Sequence, residues 1–467
     1  MIVPEWVHDA VFYQIFPDRF ANGDPSNDPP NVQPWGSPPT LWGFQGGDLR
    51  GIYERLDYLQ DLGVTALYLN PIFSASANHR YNTIDYFTID PRLGSQEDFH
   101  RLIGAIHDRR MKLILDGVFN HSGRGFPAFV DLLENEEHSA FRDWYHVLRF
   151  PLDAYGPGKA ENYLAWWSIK SLPKFNTSHR GVRRMLLDVA RHWIELGADG
   201  WRLDVPNEID DDSFWAEFRS VVKRANADAY LLGEIWTVDP RWVGAGHFDG
   251  LMNYPLREAM LEFLVGDQLK AGEFARRVED ILSSYLPEHL MAHYLPLGTH
   301  DTPRVRTLCP DDRRLRQLLM VQFCLPGAPG IYYGDEIGLE GDKDPDSRRA
   351  FPWDETLWDV ELRRYVQSLA RVRKAEAALR RGAYRPVLAD DGRGVMSFAR
   401  RLDDHEARVV VNASDVTRAV VLPPGEAGWQ AGRAVEDPLR GEARTIADSG
   451  LRIEVEPRGA RLWLPVS

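Results

Sequence analysis

Apolar residues fall in short runs along most of this chain, and amphipathic stretches separate the runs. They read VFYQIF (11–16), ALYLNPIF (66–73), KLILDGVF (112–119), GWRLDV (200–205), YLLGEIW (230–236), FDGLMNY (248–254), AHYLPLGTH (292–300) and GIYYGDE (330–336). Runs this short and this apolar predict strands buried on both faces. Between them the spacing becomes helical. Val182, Leu186, Val189, Trp193 and Leu196 recur at three and four residues and share one face of a helix over 181–197. Further helices are expected over 49–62, 96–110, 213–225, 256–265, 273–285, 313–325 and 360–380. Eight strands alternating with helices predict an α/β fold, the (β/α)8 barrel, and not an open sheet.

The alternation is interrupted after the third strand. Residues 122–177 contain no simple strand–helix unit, are rich in aromatics (Phe126, Phe129, Trp144, Tyr145, Trp166, Trp167) and end in SLPKFN. An insertion at the C-terminal end of a barrel strand sits over the face where such barrels do chemistry, so a small lid domain is expected. Beyond about 382 the period changes to two. VMSFARRL, ARVVVNAS, RAVVLPP, LRIEVEP and RLWLPV are alternating strands between Gly, Pro and Asp turns, which predicts an all-β sandwich domain. The expected organisation is barrel over 1–121 and 178–381, lid over 122–177 and β-domain over 382–467.

Composition narrows the class of partner. A formal net charge of −14 with no basic run argues against nucleic acid. No apolar stretch approaches the ~20 residues of a membrane span, and MIVPEWVHDAVFYQIF lacks the pattern of a secretory leader. The expectation is a soluble, cytoplasmic protein without a membrane partner. The two cysteines, Cys309 and Cys324, read as free buried thiols.

Three apolar runs close on an acidic residue: GWRLDV on Asp204, GEIW on Glu234 and THD on Asp301. In a parallel barrel the strand C-termini converge, so the three carboxyl groups gather on one face. They could not all ionise at their ordinary pKa values. Arg202 lies two residues before Asp204, on the same side of its strand, where a guanidinium would keep that carboxylate ionised. A carboxylate beside a carboxylic acid is what cleaving a glycosidic bond requires. The alternative for any one of these residues is a structural ion pair at a barrel rim.

DGVFNH (116–121), GWRLDV, GEIW and THD, in this order, resemble the four best-known motifs of the α-amylase superfamily, glycoside hydrolase family 13. SLPKFN (171–176) is similar to the MPKL-type motif of the neopullulanase, cyclomaltodextrinase and maltogenic amylase subgroup. FPDRFANGDPSND, NHRYNTIDYFTIDP, FDGLMNYPLRE and IYYGDEIG resemble that subgroup too. The resemblance implies Asp204 as nucleophile, Glu234 as general acid/base and Asp301 as the carboxylate that holds the sugar hydroxyls. It also implies Tyr81 stacked on the reacting sugar, with His121, Arg202 and His300 around it and Trp236, Glu208, Asn253 and Tyr254 lining outer subsites. In the turn NGDPSND and the following QGGDL, the resemblance implies a structural Ca²⁺ held by Asn22, Asp24, Asn27, Asp28, the Gly46 carbonyl and Asp48. Oxygen-only ligands suit that ion; taken alone, the segment is also an ordinary Asx-rich turn.

The function expected on these grounds is a retaining α-glucan hydrolase. It would cut α-1,4 bonds, with some α-1,6 cleavage and glycosyl transfer, in maltooligosaccharides, cyclodextrins, pullulan or starch. A dedicated glucanotransferase or an exo-acting α-glucosidase would use the same residues. A non-catalytic glucan-binding protein would be expected to have lost one of the three carboxyls. The subgroup usually carries a further β-domain before the barrel, whereas here the first strand begins near Val11. A monomer, or a dimer built in another way, with a roomier cleft, is therefore expected.

Overall fold

The computed structural model describes residues 3–466, and eight parallel strands form its barrel. They are β1 (Phe12–Ile15), β2 (Ala66–Leu69), β3 (Lys112–Gly117), β4 (Gly200–Leu203), β5 (Tyr230–Gly233), β6 (Gly250–Leu251), β7 (Tyr294–Pro296) and β8 (Ala328–Tyr332). The order is β6-β5-β4-β3-β2-β1-β8-β7, and a parallel bridge from Met252 to Tyr294 brings the two ends together. Period-two alternation sorts the side chains. Phe12, Ala66, Tyr68, Ile114, Leu232, Tyr294 and Ala328 fill the barrel interior. Tyr13, Leu67, Leu113, Trp201, Leu231 and Leu295 face the surrounding helices. Each leucine, isoleucine or phenylalanine among them stabilises the fold by roughly 1.5–3 kcal/mol on burial. At Gly200 an added Cβ would stand 2.2 Å from the Tyr230 carbonyl oxygen, so glycine is what lets β4 and β5 pair closely.

The helices follow their apolar faces with two breaks. The helix expected over 49–62 is split at Arg55 into Leu49–Glu54 and Leu56–Leu62, and Gly63 ends it in the left-handed conformation. The one expected over 360–380 breaks at Glu376, whose side chain caps a new turn, Ala377–Arg381. β6 and β7 are shorter than their apolar runs. After Leu251 the chain turns at once into the helix Tyr254–Leu264, with Asn253 as its N-cap.

Excursions leave the C-terminal end of the barrel after β1, β2 and β3, where the sequence pattern indicated one, after β3. After β2, Phe73–Ala75 and Thr83–Ile89 form an antiparallel hairpin. Asn70-Pro71 interrupts the apolar run that had read as one strand, because proline cannot donate to the ladder. After β3 come residues 122–177, with a helix, Pro127–Asn135, and segments joined by the bridges Tyr145–Phe175, Val147–Tyr163 and Ala165–Pro173. Phe129, Tyr145, Tyr163 and Phe175 pack ring to ring beneath them.

The C-terminal strands form a six-stranded antiparallel sheet, and a two-stranded pair (Arg418–Leu422 with Leu451–Val455) packs over it. Val410, Val420, Leu422, Trp429, Ile453 and Trp463 fill the space between, the core of a sandwich. Cys309 and Cys324 are free and buried. Among the described residues no helix is long and apolar enough to cross a membrane.

Candidate active site

Counting in twos up the strands places the polar residues. Gln14 continues the inward row of Phe12, Asn70 that of Tyr68, Asp116 that of Ile114 and Glu234 that of Leu232. Arg202 and Asp204 share the inward side of β4. These residues meet where the strands end, and Arg202 is at their centre. Its side chain is fully buried, with Nη1 donating to Asp116 Oδ1 (2.9 Å) and to Asp204 Oδ1 (3.0 Å). Nη2 forms an ion pair with Glu234 Oε2 at 2.9 Å. One guanidinium thus joins three carboxyl groups. Glu234 Oε2 also accepts the Val205 N–H (3.0 Å), and its Oε1 accepts Trp236 Nε1–H (3.2 Å).

Asp301 sits at the rim, with about a third of its side chain exposed. Its oxygens lie 3.1 Å from His300 Nε2 and 3.6 Å from Arg348 Nη2. Burial, with Glu234 as a nearby like charge, raises its carboxyl to about 7. Asp204 is held well above the usual carboxylate range, by burial first. Arg202 opposes this, while Glu234 and Asp116 add to it. Arg202 thus acts in the direction expected of it, toward the ionised carboxylate, and burial acts against it.

The histidines are set by their neighbours. His300 Nδ1 faces two amide donors, Gln14 Nε2 (2.9 Å) and Asn70 Nδ2 (3.2 Å), so it accepts and Nε2 carries the hydrogen. That hydrogen is aimed at Tyr81 Oη (2.6 Å) and Asp301. Burial, then Arg348 and Arg202, lowers the pKa of His300 well below the ordinary value, so the ring is neutral. Burial lowers His121 to about 4. Its Nε2 lies 3.2 Å from the Tyr81 carbonyl oxygen, and Trp166 of the lid stacks on its ring. The Tyr81 hydroxyl donates to Asp116 Oδ2 (2.7 Å), and its ring is parallel to that of His300 at 5.3 Å.

The outer positions divide. Trp236 is half exposed and stacks face to face on Tyr254, with centroids 3.7 Å apart. The Glu208 backbone and side chain both engage Lys174 of SLPKFN (2.7 and 3.5 Å). Asn253 is buried, its Oδ1 caps Leu256 N–H, and its amide lies against His293, so it builds the start of the helix.

Some residues of the site had no signal singled out in the sequence reading. Asp116 carries hydrogen bonds from Arg202, Tyr81 and Tyr68; its place in DGVFNH was the available clue. Arg348 belongs to the loop after β8, which shows no periodicity. Beside it lies a pocket of about 140 Å³ lined by Thr40, Leu41, Trp42, His79, Asp344 and Arg348.

At the turn 22–28, Asn22, Asn27, Asp28 and Gly46 come together. Asn22 Oδ1 and Asn27 Oδ1 are buried without a hydrogen-bond partner. Asn22 Nδ2 donates to Asp28 Oδ1 (3.0 Å), and a Cβ on Gly46 would stand 2.2 Å from that same oxygen. Asp24 and Asp48 are spent differently. The Asp24 carboxyl accepts from Ser26, and Asp48 accepts the N–H groups of Gly23, Asp24 and Gly51. Among the described residues no three His, Cys, Asp or Glu side chains converge as a metal cluster, so amide and carbonyl oxygens would form much of any site here.

Comparison with known proteins places this geometry. Residues 14–380 match the α-amylase catalytic domain. The chain is 43% identical to a cyclomaltodextrinase from Geobacillus thermopakistaniensis (strain MAS1), over 96% of this chain and 76% of that one. It is 40% identical to neopullulanase 2 of Thermoactinomyces vulgaris, over 98% and 78%. Among solved structures, the cyclic α-maltosyl-(1→6)-maltose hydrolase of Arthrobacter globiformis superposes with a TM-score of 0.89 at 38% identity, each chain covered in full. Ttha1563 of Thermus thermophilus superposes with a TM-score of 0.93 at 44% identity, over 99% of this chain and 100% of that one. The chain belongs to the α-amylase family, glycoside hydrolase family 13, and is an α-glucan hydrolase of the subgroup that holds the cyclomaltodextrinases, neopullulanases and maltogenic amylases.

Proposed function

We propose that the protein hydrolyses α-1,4-glucosidic bonds in short and cyclic glucans with retention of configuration. Asp204 acts as nucleophile, Glu234 as acid and then base, and Asp301 as the carboxylate that grips the reacting sugar. The observation that carries this reading is the guanidinium of Arg202, which touches both Asp204 and Glu234. A retaining enzyme keeps its two carboxyls close, whereas an inverting one holds them apart to admit a water. Arg202 occupies Asp204 Oδ1, which leaves Oδ2 to attack the anomeric carbon. Glu234 donates its proton to the departing glycosidic oxygen. Water, deprotonated by the same carboxylate, then releases the glycosyl ester. A neutral His300 presents Nε2–H to the sugar side of Asp301, and Tyr81 offers its ring to the apolar face of the sugar.

We also propose that the turn 22–28 holds Ca²⁺. Asn22 Oδ1, Asn27 Oδ1, Asp28 and the Gly46 carbonyl would ligate it. Two buried amide oxygens without a hydrogen-bond donor support this reading, and the ion would supply rigidity at a distance from the reacting carboxyls. Relatives of about 40% identity are named for cyclodextrin, pullulan and maltose chemistry, and this chain is assigned substrates of that class.

The test uses maltotriose and β-cyclodextrin. Proton NMR of the first product should show the α-anomer, and a β-anomer excludes double displacement. Asp204→Asn should cut kcat by at least about a hundredfold while the fold persists. A smaller loss removes Asp204 as nucleophile.

A further inference from the structure

The residue after the nucleophile breaks three backbone preferences at once. Val205 has φ 36° and ψ 52°, the left-handed region. It is β-branched, a type for which positive φ is a genuine outlier. It also precedes Pro206, which drives its neighbour toward extended backbone. Such a conformation costs on the order of 1–3 kcal/mol and persists only where its surroundings enforce it. Here the ends are fixed on both sides. Asp204 N–H is anchored to the Gly117 carbonyl (3.0 Å), and the Val205 carbonyl accepts Glu208 N–H (3.0 Å) at the start of a tight turn. The one free backbone donor between these anchors, Val205 N–H, is thereby turned toward β5, where it meets Glu234 Oε2 at 3.0 Å.

We propose that Val205 is a positioning residue for the proton donor. Glu234 Oε2 accepts the Val205 N–H and lies 2.9 Å from Arg202 Nη2 in an ion pair, so the negative charge of the carboxyl is held at that oxygen. The transferable proton is left to Oε1, the oxygen beside Trp236 on the open side of the cleft. The left-handed turn does what an extended residue could not. It brings the amide of the nucleophile's own segment onto the acid, and so fixes the two catalytic carboxyls relative to each other through one peptide unit. No side-chain chemistry of valine is involved; the backbone supplies the function. The inference rests on the assignment of Glu234 as acid/base made above.

The experiment separates positioning from mere structure by leaving-group chemistry. Loss of a well-placed acid slows departure of a sugar alkoxide, and general acid assistance is worth about 10²–10⁴-fold. Departure of fluoride needs no such proton. Val205 is replaced by its α-hydroxy acid, which turns the 204–205 amide into an ester and deletes only the N–H. Val205→Gly is the second variant, keeping the N–H but freeing the turn. Both are assayed on maltotriose and on α-maltosyl fluoride. The ester variant should lose about 10–100-fold in kcat/KM on maltotriose and less than about threefold on the fluoride. Val205→Gly should lose less than the ester on maltotriose and unfold no earlier than wild type, since it relieves the strain. Equal losses on the two substrates, or none, overturn the proposal. If the ester variant does not fold, the ratio of the two losses in Val205→Gly decides in the same way. A wild-type protein inactive on both substrates would instead sink the functional reading itself.

Discussion

Asp301 shows how the site trades stability for chemistry within one residue. Its carboxyl is held at about 7, against an ordinary 3.8, by burial and by Glu234. The folded protein therefore keeps a proton that the unfolded chain releases. Folding stability falls as pH rises from about 4 to 7, and the full cost persists above that. Asparagine has nearly the same shape and no charge to bury. Asp301→Asn should raise the melting temperature relative to wild type at pH 8 and leave it unchanged near pH 4, while activity is lost. Calorimetric scans at the two pH values check this. An equal shift at both would assign the effect to packing. Two neighbours face Asp301, a neutral His300 at 3.1 Å and Arg348 at 3.6 Å, and the cation only partly offsets the cost.

At the scale of elements, a buried arginine that pairs with no carboxylate ties the barrel to the β-domain, and a second one braces the barrel beneath it. Arg400, fully buried, donates to the Gly382 carbonyl (2.9 Å) and to the Cys324 carbonyl (2.6 Å) at the end of the helix Asp312–Cys324. Arg373 does the same for Phe323 (2.8 Å) and Gly327 (2.6 Å). Carbonyls at a helix end have no intrahelical donor. Arg400→Met fills the space but leaves two buried acceptors bare, at about 1–3 kcal/mol each. The variant should unfold at lower urea and be cut by protease near 376–383 before the barrel is lost. Unchanged cleavage would show that the sandwich is held by its apolar contacts alone. None of this was visible in sequence, because a lone arginine in a strand carries no period. What sequence did reveal followed from repeats. The eight apolar runs located the barrel, and the step of two from Arg202 to Asp204 put both on one face. The hairpin after β2 was hidden because Ile72 and Phe73 prolong the apolar run past Pro71. The capping role of Asn253 was hidden because an Asn next to Tyr254-Pro255 reads equally as a sugar ligand or a helix cap.

For the molecule as a whole, the excursion after β1 raises the question of what holds a long loop over the cleft. Residues 21–48 form almost no regular structure, yet they carry Leu41 and Trp42 to the pocket beside Arg348. One end of this loop is the turn 22–28, and the other is Gly46–Asp48 at the start of the helix Leu49–Glu54. The two ends meet where Asn22 Oδ1 and Asn27 Oδ1 are buried without donors and where burial raises the carboxyl of Asp28. Buried acceptors without a donor are costly unless a cation or a water satisfies them. Calcium bound there would clamp both ends of the loop, and a ligand that binds only the native state stabilises it by about 2.7 kcal/mol at a hundred times its Kd. Metal-stripped protein should therefore melt several degrees lower, and calcium should restore it. Asp28→Ala and Asn27→Ala should abolish that response. The rate on maltotriose at low temperature should barely change, because the ion touches no reacting group. A melting temperature indifferent to chelator and calcium would remove the ion and leave the turn as an Asx-rich bend held by Asp24, Asp28 and Asp48.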